Sequence, residues 1–139
     1  MSAKRTVFID TNILIYRSFG ASAQKQKIQK ILEEYEGNIF ISVQVLNEFI
    51  NASLKKKLFE KEAQLDETLR YFVTAFQFGS LAISTVLKAT EIRKSYKLSH
   101  YDSVIIATAL ENNCQTLYSE DLQHGLLIEK KLKVVNPFK

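Results

Sequence analysis

Thr6-Val7-Phe8-Ile9-Asp10-Thr11-Asn12-Ile13-Leu14-Ile15-Tyr16 sets a short apolar, partly β-branched run against an acid and then opens a second apolar-rich run. The first four residues read as a buried strand, and Asp10 reads as a helix N-cap, where a carboxylate accepts backbone N–H bonds. Outward from this start the pattern alternates. Residues 38–42, 81–83, 116–118 and 132–135 are further apolar runs of strand length. Residues 23–35, 43–58, 60–78, 85–96 and 101–112 carry apolar positions at three- and four-residue spacing, the helical period. Strands separated by helices require crossover connections, which predicts an α/β fold, a three-layer α/β/α arrangement on a mostly parallel sheet of four to five strands.

The 139 residues are 46% hydrophobic and 24% charged, with one proline and four glycines, which suits one domain over residues 1–139 without linker or repeat. The single cysteine, Cys114, cannot build a disulfide framework, so a reducing, cytoplasmic setting is expected. The basic start, residues 1–5, is followed by an apolar run that Asp10 stops, so no signal peptide is expected. The uncharged stretch 72–87 is too short and too interrupted by Thr74, Gln77, Ser80 and Ser84 to cross a bilayer, so no membrane partner is expected. Nineteen Lys and Arg against fifteen Asp and Glu give a net charge of +4, which permits a polyanionic partner.

In open parallel sheets, ligands bind beyond the carboxyl ends of the strands, so the residues just after each strand are the first candidates. Asp10 follows the first strand, and Ser119-Glu120-Asp121 follows the fourth. Asp102 has a plain structural reading, since Ser99-His100-Tyr101-Asp102 fits a capping box. The run behind it, Val104-Ile105-Ile106-Ala107, is apolar almost all round, so that helix should lie inside the protein with its first-turn carboxylate beside the core. Glu48 falls on the polar side of its helix with Gln44, Asn47 and Asn51, opposite an arc of Val43, Leu46, Phe49, Ile50 and Leu54. No Lys or Arg stands three or four residues ahead to pair with it. Several carboxylates at one sheet end repel each other unless protons or a cation neutralise them. Oxygen ligands with few histidines select Mg²⁺ or Mn²⁺, the ions of phosphoryl chemistry.

Four segments in order carry a resemblance: Val7-Phe8-Ile9-Asp10-Thr11-Asn12, Ser42-Val43-Gln44-Val45-Leu46-Asn47-Glu48-Phe49, Leu98-Ser99-His100-Tyr101-Asp102-Ser103, and Tyr118-Ser119-Glu120-Asp121-Leu122. Together they resemble the PIN-domain endoribonucleases, and within them the VapC-type toxins of toxin–antitoxin pairs. The resemblance implies that Asp10, Glu48 and Asp102 form an acidic core, with Asp121 as a fourth acid and Thr11, Asn12 and Ser119 in support. Glu120, its neighbour, leaves open which acid of that pair is the fourth. The resemblance also implies Mg²⁺ or Mn²⁺, hydrolysis of RNA to a 5′-phosphate and a 3′-hydroxyl, a homodimer, and a cognate antitoxin whose C-terminal segment blocks the groove. Many relatives have Thr where Ser119 stands, which keeps the hydroxyl.

Rival classes fit less well. An aspartyl phosphatase would place a second acid two residues after the first, where Asn12 stands. A phosphoacceptor module would need a Lys-Pro turn, but this chain has Asn136-Pro137-Phe138. A PIN-like scaffold that binds RNA without cutting it is the remaining alternative. His100 and His124 are too few and too far apart for zinc, and Cys114 should pack as a small apolar residue. The lysines at 25, 27, 30 and 55–57, with Lys130 and Lys131, read as solvated faces or RNA guides. Tyr71, Phe72, Phe76 and Phe78 read as core or dimer surface.

Overall fold

The computed structural model describes residues 5–139; residues 1–4, part of the basic start read above, lie outside the described residues. In chain order the elements are β1 (Val7–Ile9), α1 (Thr11–Phe19), α2 (Ser22–Glu34), β2 (Ile39–Ser42), α3 (Val43–Lys55), α4 (Glu62–Ala75), β3 (Gln77–Gly79), α5 (Ile83–Tyr96), α6 (His100–Glu111), β4 (Thr116–Tyr118), β5 (Leu127–Ile128) and β6 (Leu132–Val135). One sheet runs in the order β3-β2-β1-β4-β6-β5. All its pairings are parallel except β5 with β6. The central strands β1 and β4 are buried along their whole length, as strands covered on both faces must be.

The strand order fixes where a site can form. β1 pairs with β2 on one side (Val7↔Ile39) and with β4 on the other (Ile9↔Tyr118). The chain leaves β1 toward β2 and reaches β4 only after β3 and α6, so the connections diverge between β1 and β4. That is the switch point at which open α/β sheets leave a crevice. Asp10 follows β1, Ser42 ends β2, and Ser119 follows β4, so all three arrive at this edge. The core beneath gathers Phe8, Ile13, Leu14, Ile41, Phe49, Phe72 and Ile106, all fully buried. α6 is buried at every residue from 103 to 109, the central helix that its all-round apolar sequence predicted.

Three expectations are corrected. The sheet has six strands rather than four to five, because the two-residue β5 adds an antiparallel edge too short to leave a sequence pattern. Leu81-Ala82-Ile83 is no strand: Leu81 and Ile83 are exposed, and Ala82 caps α5. The strand is β3, cut from the end of the helix expected over 60–78. The chain turns extended at Phe76, and Gln77 Nε2 donates to the Gly37 carbonyl at 2.6 Å. Gly79 lets β3 press on α6, since a Cβ there would stand 2.6 Å from Asn112 Nδ2 and 2.7 Å from Thr108 Cγ2. Gly79→Ala is therefore expected to cost about 1–3 kcal/mol by overpacking, read as a lowered urea midpoint. The third correction concerns α3, whose buried stripe is Val45, Phe49 and Ser53, leaving Val43 and Leu54 about half exposed (55% and 51%). The arc drawn from hydrophobicity coincides with the buried stripe at Phe49 and departs from it at both ends of the helix.

Candidate active site

Asp10 is the N-cap of α1, as expected: Oδ1 accepts from the Thr11 N–H at 2.7 Å. Its other oxygen, Oδ2, accepts from Ser119 Oγ at 2.8 Å and from Asn12 Nδ2 at 3.2 Å. The residue is only 4% exposed. Burial pushes its pKa up from 3.8 to about 6, against the Ser119 and Thr11 bonds that hold it down; Glu48 and Asp121 add repulsion in the same direction as burial. The cap and the candidate site residue are thus the same side chain, with one oxygen fixed by the helix and the other turned toward its polar neighbours.

Asn12 ties the two strand ends together. Its Nδ2 donates to Asp121 Oδ2 at 3.0 Å as well as to Asp10, and its Oδ1 accepts from the Glu120 N–H at 3.0 Å. Ser119 Oγ also accepts from the Asp121 N–H at 3.2 Å. Glu120 goes elsewhere: its Oε1 accepts from Tyr16 Oη at 2.7 Å, a bond that raises the tyrosine pKa. Of the two adjacent acids, Asp121 is the one brought to Asp10. Tyr16, four residues beyond Asn12 on α1, was missed in the sequence. Its ring is wedged edge-on to Phe138, 5.0 Å between centroids, which fixes the hydroxyl that holds Glu120.

Glu48 joins the group from α3. Thr11 Oγ1 reaches Glu48 Oε2 at 3.4 Å, and Gln44 Nε2 donates to Glu48 Oε1 at 3.1 Å. Gln44 Nε2 also reaches the Tyr101 carbonyl at 3.4 Å, next to Asp102. Gln44 is thus a second residue the sequence did not single out, although its place one turn before Glu48 was visible. Asp102 lies in the first turn of α6 with its N–H donating to Ser99 Oγ at 3.2 Å, the expected cap, and stands at one remove from the other acids, through Tyr101 and Gln44. Beside Glu48 lies an open depression of about 730 Å³ bordered by Val43, Gln44, Asn47, Leu81 and Tyr101.

No three of these acids stand close enough, among the described residues, to form a ready metal cage. Their chemistry nonetheless fits a hard cation, for they are oxygen donors without histidine or cysteine. The ion pairs among the described residues belong to Lys88 with Glu91 and Glu129, so no Lys or Arg neutralises Asp10, Glu48 or Asp121. Of the three only Asp10 is buried, and its charge, left without an ion pair, is costly unless a proton or a cation offsets it. Among the described residues, no helix is long and apolar enough to cross a membrane.

The family model described as PIN domain matches residues 7–125. Among solved structures, a toxin–antitoxin complex from Klebsiella pneumoniae is similar at a TM-score of 0.72 and 23% identity, covering 95% of this chain and 98% of that one. Mycobacterium tuberculosis VapC20, described as a sarcin–ricin loop cleaving toxin, is similar at 0.67 and 15%, covering 84% and 90%. VapBC2 from Rickettsia felis, bound to a DNA fragment from its promoter, is similar at 0.67 and 19%, covering 94% and 99%. A comparison with curated proteins found no match.

Proposed function

This chain belongs to the PIN domain family, and on that premise we propose that it is a divalent-metal-dependent endoribonuclease, the toxin of a toxin–antitoxin pair, folded as one PIN domain over residues 1–139 and working in the cytoplasm. The observation that carries this reading is Asp10: a buried carboxylate, held at a sheet switch point, facing two further acids with no cationic side chain paired to any of them. The toxin-and-antitoxin names of the structural neighbours support the same reading.

Asp10 and Asp102 would hold Mg²⁺ or Mn²⁺ directly, although Asp102 stands at one remove from Asp10, and Glu48 and Asp121, the acids that face Asp10, would complete the set. When bound, the ion supplies an activated water and stabilises charge on the phosphate oxygens. The chain's own work is positional. Ser119 and the Thr11 N–H aim the Asp10 carboxylate, Asn12 keeps Asp121 beside it, and Gln44 with Thr11 steadies Glu48. Partners fixed in this way orient ligands and tune their basicity. RNA would be gripped through its phosphates by exposed lysines, so binding should weaken with salt.

Incubating the purified protein with structured RNAs in Mn²⁺, with and without a chelator, tests the reading. Cleavage that needs the metal and leaves 5′-phosphate ends supports it. RNA binding without cleavage would leave the inactive PIN-like scaffold instead.

The partners of this reading are a second copy and an antitoxin. The apolar depression next to Glu48 suits the antitoxin segment, and the bare α5 face of Ile83 (81% exposed) and Leu87 (64%) suits the second copy. The double variant Ile83→Asp, Leu87→Asp is expected to run as a monomer in light scattering with its circular dichroism intact. A dimer unchanged by it would move the interface elsewhere.

A further inference from the structure

The C-terminal turn of α1 borders a second cavity, of about 480 Å³. Arg17 and Ser18 line it from α1, Lys25 and Gln26 from α2, Thr68 from α4, and Phe59 from the connection between α3 and α4. No Asp or Glu contributes to its wall. Gln29, also on the wall, donates to Glu33 at 3.1 Å, and Thr68 donates to the Gln64 carbonyl at 2.9 Å. The donors chiefly left for a ligand are those of Arg17, Ser18, Lys25 and Gln26.

Two of them are buried and unpartnered: Arg17 Nε and Ser18 Oγ make no hydrogen bond among the described residues. Arg17 also makes no ion pair there. Its guanidinium stands 4.3 Å from the Tyr71 ring centroid and 5.7 Å from that of Phe72, so the aromatic rings fix its orientation. Buried donors without acceptors are rare because each is costly, and a guanidinium and a hydroxyl on neighbouring residues are donors of the kind an oxyanion takes.

We propose that this cavity binds a phosphate group, with Arg17 and Ser18 as direct donors and Lys25 as the second cation. The volume leaves room for a group attached to the phosphate, and a nucleotide is the carrier this proposal takes. It has two possible sources, a free nucleotide or the RNA strand itself, and only the second rests on the nuclease reading. Ser18 lies seven residues, two helical turns, beyond Thr11 and therefore on the same side of α1, roughly 10 Å along its axis. A strand following α1 would bring a phosphate to each end.

Calorimetric titration of the full chain carrying Asp10→Asn, which removes cleavage from the experiment, tests this with three probes: inorganic phosphate, a nucleoside 5′-monophosphate and a short RNA. Saturable binding of phosphate and the monophosphate is expected. Arg17→Gln should weaken it by at least about 10-fold, the worth of a charged hydrogen bond. Ser18→Ala should weaken it less, and it keeps the test valid if loss of the Arg17 stacking unfolds the protein. Displacement of the monophosphate by RNA assigns the pocket to the strand, whereas binding of both at once assigns it to a free nucleotide. Absence of saturable phosphate binding in the parent, or equal affinity in both variants, overturns the proposal. Metal-dependent cleavage by the parent chain is a separate readout, so failure of the nuclease reading would leave a positive phosphate titration standing.

Discussion

Asp10→Asn is expected to lower RNA cleavage by at least about 100-fold, beyond the loss seen when only a ligand's supporting partner is removed. The same change is expected to stabilise the metal-free protein at neutral pH. The two effects share one cause, a carboxylate placed where its charge is useful and costly. The folded-state pKa of Asp10 is about 6, against 3.8 for the free group. Between those values the folded protein binds more protons than the unfolded chain, so stability is fully present below about pH 4 and is lost as pH rises through 6. A shift of about two units corresponds to about 3 kcal/mol. Asn has no charge to desolvate and can still cap α1 through its Oδ1. The parent and the variant should therefore match near pH 4 and separate by up to about 3 kcal/mol at pH 7.5, the variant being more stable. Denaturant melts in chelator at both pH values measure this. Mn²⁺ should then raise the stability of the parent and not of the variant, because only a ligand that binds the native state shifts the midpoint. A variant less stable than its parent at pH 7.5 would mean that the Ser119 and Asn12 bonds outweigh burial.

The parts of this arrangement that were legible in the sequence are those governed by neighbours in the chain. Strand β1 ending in an acid, the Ser99 cap and the buried α6 all follow from local pattern, and each sits where that pattern put it. What local pattern could not reach was decided across the sheet. Leu81-Ala82-Ile83 is more apolar than β3 and has a better strand composition, yet Gly79 is what lets the chain approach α6, and the apolar trio is left on the surface. Glu48 was correctly placed on a polar helix face. Whether that face met a cleft or bulk water depended on Thr11, 37 residues earlier. The choice between Glu120 and Asp121 depended on Tyr16, more than a hundred residues away, whose hydroxyl binds the first and leaves the second to Asn12.

That last choice predicts a difference between adjacent residues of the same charge. Asp121→Asn is expected to reduce cleavage by about 10–100-fold and to raise the Mn²⁺ concentration needed for half-maximal rate, as loss of a metal-orienting group does. Glu120→Gln should stay within about twofold of the parent, because a substitution outside the site changes energies by roughly half a kcal/mol. The contrast rests on the side chains to which each acid is bonded. Asp121 Oδ2 shares the Asn12 amide with Asp10, so neutralising it relaxes the repulsion that Asp10 feels and removes an oxygen from the set. Glu120 is engaged by Tyr16 Oη, and a glutamine there can still accept that bond. Tyr16→Phe is the decisive companion, since it frees Glu120 while leaving Asp121 and Asn12 untouched. If Tyr16→Phe leaves the metal titration unchanged while Asp121→Asn shifts it, the fourth acid is Asp121. A Glu120→Gln variant as impaired as Asp121→Asn would show instead that Glu120 leaves its tyrosine partner and swings toward Asp10.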